Sequence, residues 1–419
     1  MCKREGRPRP GGGYVVEAAY GRRGSDAIAT VDAFLDALPA AVESVRLSPS
    51  FATSHFIHAV ALRGAGRSAP VRLREADLGD AGECLRIERY VAAHADATPF
   101  HRPAWLQGAA RGTGNDAAVL LAERHGEIAG LIPLLDVQSP LFGRALVSSG
   151  FGVGGGLLAD GSADARALFA GVEELALRRS ISTIELRGGL MPEGRAGWRV
   201  RHDSHCGFAA RLAADDEAQL LWVPRKQRAE VRKGLAEDLT VEIGRDEAAR
   251  AAHYAVYAES VRNLGTPVFP RSLFAEVLGS FDEDADILTI RHRGLAVASV
   301  LSLYHRGTVM PYWGGGVFAA RQLRANDRMY YELMLHARRR GCTRFDFGRS
   351  KTGSGPYAFK RNWGFEPEPL GYASWTAPGA EPRDADPTSH KHQALIALWK
   401  RLPLTLANAA GPWIARGLG

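Results

Sequence analysis

The segment FDFGRSKTGSGPYAFKRNWGF, residues 345–365, gathers groups that can meet negative charge. A short strand carries Phe345, Asp346 and Phe347. A glycine-rich loop follows, with Arg349, Ser350 and Lys351 between Gly348, Gly353 and Gly355. Tyr357, Phe359, Lys360 and Trp363 come next, before Gly364. A loop whose amides and cations face one way suits an anion. The spacing from Gly348 to Gly353 mimics a P-loop. Gly353 is followed by Ser354 and Gly355, however, not by Lys and then Ser or Thr, so that reading is rejected. Phe345, Phe347 and Phe359 also suit an apolar core, and an isolated Lys360 is ordinarily a surface residue.

Two further segments carry candidate chemistry. PRKQRAEVRKG, residues 224–234, sets Arg225, Lys226, Arg228, Arg232 and Lys233 against Glu230, a net charge of +4. On a helix Arg225, Arg228 and Arg232 share a face. That face fits phosphates or another polyanion; a solvated helix surface is the plain alternative. ESVRNLGTPVFP, residues 259–270, reads as a helix end, capped by Gly265 and stopped by Pro267. Arg262, Asn263 and Thr266 there can line a cleft. HDSHCG, with His202, His205 and Cys206, matches no standard zinc spacing, and no metal site is expected.

The elements that must position these groups follow from the rest of the 419 residues. Hydrophobic residues make up 46% and charged residues 24%, which excludes wholesale disorder. No apolar run is long enough to span a bilayer. The basic N-terminus lacks a following apolar stretch, so it does not read as a secretory signal. Four scattered cysteines without a CxxC pair point to a reducing cytoplasm. The net charge of +7 hints at nucleic acid, an anionic membrane or an anionic ligand. Residues 1–70 hold nine Lys and Arg against six Asp and Glu, and residues 380–419 hold five against three. The intervening body is therefore nearly neutral, and its positive charge is local.

Residues 1–24 read as disordered, 26–47 as one helix and 63–70 as a linker. From Val71 strands alternate with helices, an α/β pattern. Residues 117–188 and 286–350 then repeat one order of elements. Each has a strand, a turn, a strand, a third strand ending in a glycine triplet, a helix and a closing strand. The triplets, Gly154–Gly156 and Gly314–Gly316, lie 160 residues apart. Such regular spacing predicts a duplicated domain. The tail 394–418 is apolar, with Lys400, Arg401 and Arg416. It suits either a membrane interface or a helix docked on the body, and Pro403 favours docking.

The repeated unit resembles the GNAT-like N-acyltransferase fold, whose acyl carrier enters the gap beside the third strand. The usual Gln/Arg-x-x-Gly-x-Gly/Ala phosphate loop is absent, and AARQLRAND stands at 319–327. FDFGRSKTGSGPYAFKRNWGFEPEPL, PRKQRAEVRKG, AVYAESVRNLGTPVFP, YWGGG…RANDRMYYELM and the ending LWKRLPLTLANAAGPWIARGLG together resemble the FemAB-related proteins of exosortase/PEP-CTERM systems. The resemblance covers residues 71–419. It implies mixed α/β sheets in two tandem GNAT-like domains, 71–214 and 215–378, with 1–70 as an appendage and 379–419 as a tail. It also implies a Gram-negative host making exopolysaccharide. Better-studied FemAB relatives transfer an amino acid from aminoacyl-tRNA to an amine of a peptidoglycan precursor, usually with a coiled-coil arm. No heptad run occurs in this sequence, which counts against a tRNA donor.

A Tyr-x-Phe-Lys element supports catalysis in those relatives, and Tyr357, Phe359 and Lys360 match it. The resemblance thus makes Lys360 the group that stabilises the oxyanion, with Tyr357 and Asp346 beside it and Asp346 or Asp327 assisting proton removal. Substrate contacts are expected from Arg225, Lys226, Arg228, Asn263, Thr266, Tyr330, Arg349, Ser350, Lys351, Phe359 and Trp363. The donor is expected to be acyl-CoA or aminoacyl-tRNA, with no tightly bound cofactor. The acceptor is an amine on a polysaccharide or peptidoglycan-type precursor. The site of action is cytoplasmic, with peripheral membrane contact through the tail as an option. The contrasting expectation is a non-catalytic GNAT-fold protein that binds an anionic polysaccharide precursor or nucleic acid.

Overall fold

The computed structural model describes residues 70–139, 143–383, 396–417 and 419, together with the backbone of four short strands before residue 62. The chain divides into two compact units, residues 1–70 and 71–419. In the first unit, β1 (Glu5–Pro8), β2 (Tyr14–Ala18), β3 (Val45–Pro49) and β4 (Ile57–Ala61) make an antiparallel sheet in the order β1-β2-β4-β3. The stretch 1–24, expected to lack structure, thus contributes two strands. The helix expected over 26–47 lies outside the described residues except at its end, where β3 takes Val45–Leu47. VRLSP alternates apolar and polar, a period of two.

Residues 71–419 build two lobes, each around an eight-stranded sheet. The first lobe begins with β5 (Arg72–Glu75), β6 (Asp116–Arg124), β7 (Glu127–Ser139), β8 (Gly143–Ser148) and β9 (Leu158–Ala159). Strands β10 (Thr183–Arg187), β11 (Trp198–Arg201) and β12 (His205–Arg211) follow. The second half supplies β13 (Leu239–Gly244), β14 (Ala285–His292), β15 (Leu295–His305), β16 (Thr308–Gly316) and β17 (Arg344–Asp346). It ends with β18 (Ser350–Lys351), β19 (Pro367–Pro369) and β20 (Tyr372–Thr376). The first sheet runs β11-β20-β10-β8-β7-β6-β5 with β9 on β7, and the second runs β13-β14-β15-β16-β17-β12-β18 with β19 on β12.

The predicted duplication is visible in the pairing. Every pair is antiparallel except one in each sheet, β8 with β10 and β16 with β17. Each parallel pair is connected by a crossover helix, Ser162–Arg178 in the first lobe and Ala325–Arg339 in the second. Each is short: Leu146 and Val147 face Ile184 and Glu185, and Thr308 and Val309 face Arg344 and Phe345. Beyond those positions the two strands part.

Sheet membership crosses the sequence boundary drawn at 214/215. Strand β12 precedes it yet pairs with β17 in the second sheet, while β20 lies far beyond it and pairs with β10 and β11 in the first. Between the lobes, the helix Pro103–Thr113 packs on the helix Arg271–Phe281. Phe100, Trp105 and Phe151 of the first lobe share one apolar cluster with Phe274, Phe281 and Trp313 of the second. Gly108 and Gly112, one turn apart, let the helix backbones approach: a Cβ on Gly112 stands 2.5 Å from Leu273 Cα, and one on Gly108 stands 3.0 Å from Val277 Cα. Gly112→Val is expected to destabilise the 71–419 unit by about 2 kcal/mol, the cost of overpacking a close contact. Thermal melting checks this; an unchanged midpoint rejects the contact as described.

Candidate active site

The glycine-rich loop leaves β17 through Gly348, whose φ of +70° favours glycine. Asp346 Oδ1 accepts the Gly348 N–H at 2.8 Å, which fixes this turn. Ser354 then caps the helix Gly355–Asn362 by accepting the Tyr357 N–H at 3.3 Å, and Pro356 suits the first turn. A helix therefore does follow the loop, but Lys360 lies in its last turn, unlike the lysine of a P-loop. Gly364, with φ of +89°, turns the chain after it.

Lys360 is only 8% exposed. Its Nζ donates to the carbonyls of Arg349 at 2.7 Å and Gly348 at 3.1 Å, and it lies 5.4 Å from the Phe208 ring centre and 5.5 Å from that of Phe347. Burial brings its pKa down to about 7, opposed by the Asp346 carboxylate and aided by the Arg349 guanidinium. Burial likewise pushes Asp346 above the usual carboxylate range, against the pull of the Gly348 N–H and the Lys360 charge. An ammonium has three donors and a neutral amine has two. Two carbonyls are served, so the third direction holds an N–H when the group is charged and a lone pair when it is not.

Aromatic rings wall this lysine. Phe347 meets Tyr330 at 4.7 Å, Phe359 at 6.0 Å and Trp363 at 6.3 Å between ring centres, and Tyr357 sets its edge on Phe208 at 5.4 Å. Burial pushes the Tyr330 phenol up to about 12, helped by Asp327. Trp363 is wholly buried, and neither its Nε1 nor the Oγ of buried Ser350 has a hydrogen-bond partner among the described residues. The cluster sits just past the end of β17, against Phe208 of β12, to whose carbonyl the Phe347 N–H donates at 2.7 Å. Tyr330 reaches it from the first turns of Ala325–Arg339, whose start is close enough to β16 that a Cβ on Gly316 would lie 2.6 Å from Asn326 Oδ1.

The basic segment forms the helix Arg225–Ala236 and lies against the same place. Pro224 touches Gly364, where a Cβ would be 3.0 Å from its Cγ. Gln227 Nε2, buried, donates to Asp327 Oδ1 at 2.5 Å. Burial raises the Asp327 pKa, and that bond opposes the shift. The five cations do not act alike. Arg228 is spent on backbone, donating to the carbonyls of Val223 at 3.1 Å and Leu221 at 2.7 Å. Lys233 pairs with Glu230 at 2.8 Å, and Glu230 also pairs with Arg324. Arg225, Lys226 and Arg232 are exposed and form no ion pair with described residues.

Lys360, Asp346, Tyr357, Tyr330, Phe359, Trp363, Ser350 and Arg349 are therefore brought together, with Lys351 next along the loop on β18. Arg349 also reaches the first lobe's sheet, donating to Tyr372 Oη at 3.1 Å, and His205 stacks on that ring at 4.6 Å. Asn263 and Thr266 are not in this group. They flank Gly265, which packs against Ile396 and Lys400, and Arg262 donates to the Lys400 carbonyl at 3.3 Å. His202 pairs with Glu193 at 2.8 Å. No group of three His, Cys, Asp or Glu residues suited to a metal occurs among the described residues. Phe208 and Gln227 also belong to this site, and neither is singled out by a motif that points to it. Gln227 breaks the run of charges, which is the one signal it offers. Phe208 lies on β12, outside the segment that the sequence assigns to the second domain.

The equivalent gap in the first lobe is filled. The third strand, expected to reach the glycine triplet, ends at Ser148, because Ser149 and Phe151 take positive φ and turn the chain. The triplet then folds back across the end of β10. Gly154 N–H donates to the Arg187 carbonyl at 2.8 Å, Thr98 Oγ1 to the Gly154 carbonyl at 3.1 Å, and Leu157 bridges to Gly189 and Leu190. The buried Ser149 hydroxyl stands 2.6 Å from the Phe100 carbonyl and 2.9 Å from that of Gly155. In the second lobe the corresponding triplet stays in β16, with Gly314–Gly316 facing Val300, Ser299 and Ala298.

A family model of the GNAT acetyltransferase domain matches residues 225–361, from the basic helix through Lys360. No curated protein matches the chain. Among solved structures, FemX is similar with a TM-score of 0.56 and 15% identity, over 76% of this chain and 98% of its own. The C-terminal domain of a putative lysylphosphatidylglycerol synthetase from Agrobacterium fabrum is similar with a TM-score of 0.48 and 16% identity, over 70% of this chain and 92% of its own. A tandem GNAT protein from the clavulanic acid biosynthesis pathway gives 0.47 and 13%, over 74% and 100%. The two lobes are tandem GNAT-like domains of mixed α/β architecture.

Proposed function

We propose that the second lobe is the active site of an N-acyltransferase that moves an activated acyl group from acyl-CoA or aminoacyl-tRNA to an amine. The observation that carries this reading is the buried Lys360, held by the Gly348 and Arg349 carbonyls just past the end of β17. The GNAT match over the same residues and the closed gap of the first lobe support it. The acceptor amine forms a C–N bond at the acyl carbon and raises an oxyanion. The free N–H of charged Lys360 stabilises that oxyanion in a water-poor aromatic setting. Collapse breaks the bond to the donor's sulfur or ribose oxygen, and the amine's proton leaves to water or to the departing group.

Asp346 acts through the Gly348 turn and so positions the loop, while Tyr357 lies one turn before Lys360 on the same helix. Arg225, Lys226 and Arg232 hold the donor's phosphates at the mouth. The FemX-like fold and the motifs quoted above support an acceptor in cell-envelope or exopolysaccharide precursor synthesis, on the cytoplasmic side where such donors occur.

Intact-mass analysis with a panel of acyl-CoA and aminoacyl-tRNA donors and amino-sugar or peptide acceptors tests the reading. Acyl transfer from one donor class is expected. Binding of donor or polyanion with no transfer from any donor sinks it in favour of a binding protein. The double change Arg225→Glu, Lys226→Glu should raise the donor KM about tenfold with kcat nearly unchanged, and the effect should shrink at high salt. An unchanged KM removes the phosphate role from this helix.

A further inference from the structure

The helix Leu404–Ala415 is apolar on both sides. Its inner side docks: Ala407, Gly411 and Ala415 are buried. A Cβ on Gly411 would stand 3.0 Å from the Val268 backbone, and the Arg416 carbonyl accepts Asn115 Nδ2 at 2.9 Å. Its outer side carries Leu406, Ala409, Ala410 and Trp413, spaced to share one face. Leu406 is 57% exposed and Trp413 52%. Leu398, in the preceding helical turn, and Leu264, beside the point where that turn packs, are each 60% exposed. A helix docked on a water-soluble body ordinarily turns a polar face outward, and a contiguous exposed apolar face marks a contact surface.

We propose that this outer face seats on an anionic lipid surface. Charge selects that occupant. Residues 396–419 contain Lys400, Arg401 and Arg416 and no acidic residue. An apolar stripe with a tryptophan and cationic flanks is the chemistry of an interfacial helix. A second copy of the chain is disfavoured, because a self-contact brings Lys400, Arg401 and Arg416 of both copies together. Docking inward and seating outward are thus two faces of one helix, and neither depends on the transferase reading.

The test is co-sedimentation of the full chain with phosphatidylcholine vesicles with and without phosphatidylglycerol. Binding to the anionic vesicles alone, weakened by salt, is expected. Leu406→Ser with Trp413→Ser should lower that partition about tenfold or more. Lys400→Glu with Arg401→Glu, which leaves the stripe intact, should lower it as well. Unchanged circular dichroism and melting certify each variant as folded. Absence of wild-type binding overturns the proposal. So does full binding by both folded variants, or a concentration-dependent dimer that the serine variant abolishes.

Discussion

Lys360→Met lowers kcat/KM for acyl transfer by about 10²–10³, the usual cost of deleting one oxyanion donor. The loss is expected in kcat, since the third N–H faces charge that exists only in the transition state. Methionine keeps the stem's volume in the aromatic wall, whereas alanine would also open a cavity and confuse stability with chemistry. The pH profile separates two roles. Burial places the Lys360 pKa near 7. A donor role needs the ammonium, so kcat should fall as pH rises through about 7. A base role needs the lone pair, so kcat would rise over the same range, and that outcome sinks the oxyanion assignment. The stability effect has its own sign. The folded pKa lies below that of the unfolded chain, so burial of the charge costs most below pH 7. The penalty is relieved between about pH 7 and the unfolded value of 10.5. Chemical denaturation of wild type and Lys360→Met at pH 6 and pH 9, values chosen to flank about 7, should show the wild type gaining relative stability at the higher pH.

Gly156→Ala destabilises the 71–419 unit by about 3 kcal/mol, at the upper end of overpacking effects. A Cβ there overlaps the Gly188 carbonyl oxygen, and backbone cannot swing aside as a side chain can. Thermal melting should fall by several degrees while kcat per folded molecule holds, because the first lobe's gap is packed with its own chain. A variant that melts normally but loses turnover would show that the first gap takes part in the reaction.

The sequence made the architecture readable where physics is local. Alternating strands, glycine turns and the recurring helix gave two GNAT-like units, and their parallel pairs lie at matching places. It failed where direction and distance decide. Ser149 and Phe151 take left-handed backbone that no propensity announces, so β8 stops short of the triplet. Arg228 looks like its neighbours in a string of letters, yet its guanidinium satisfies the end of the preceding helix. Asn263 and Thr266 sit beside a docked tail that lies far along the chain. Lys360 stands out in the sequence only through its motif, and its partners are main-chain carbonyls, which every residue possesses and no motif records.

The exchange of β12 and β20 bears on how the protein is made. The first sheet lacks the neighbour on one side of β10 until residue 376 has left the ribosome, and β17 lies unpaired on one side unless β12 is already waiting for it. Neither lobe can close early during synthesis, and both finish within a few residues of each other. Cutting the chain at 214 would leave one fragment with an open edge at β10 and the other with one at β17. Such edges invite pairing with other chains. The two halves should be recoverable only by co-expression, as complements rather than as independent domains.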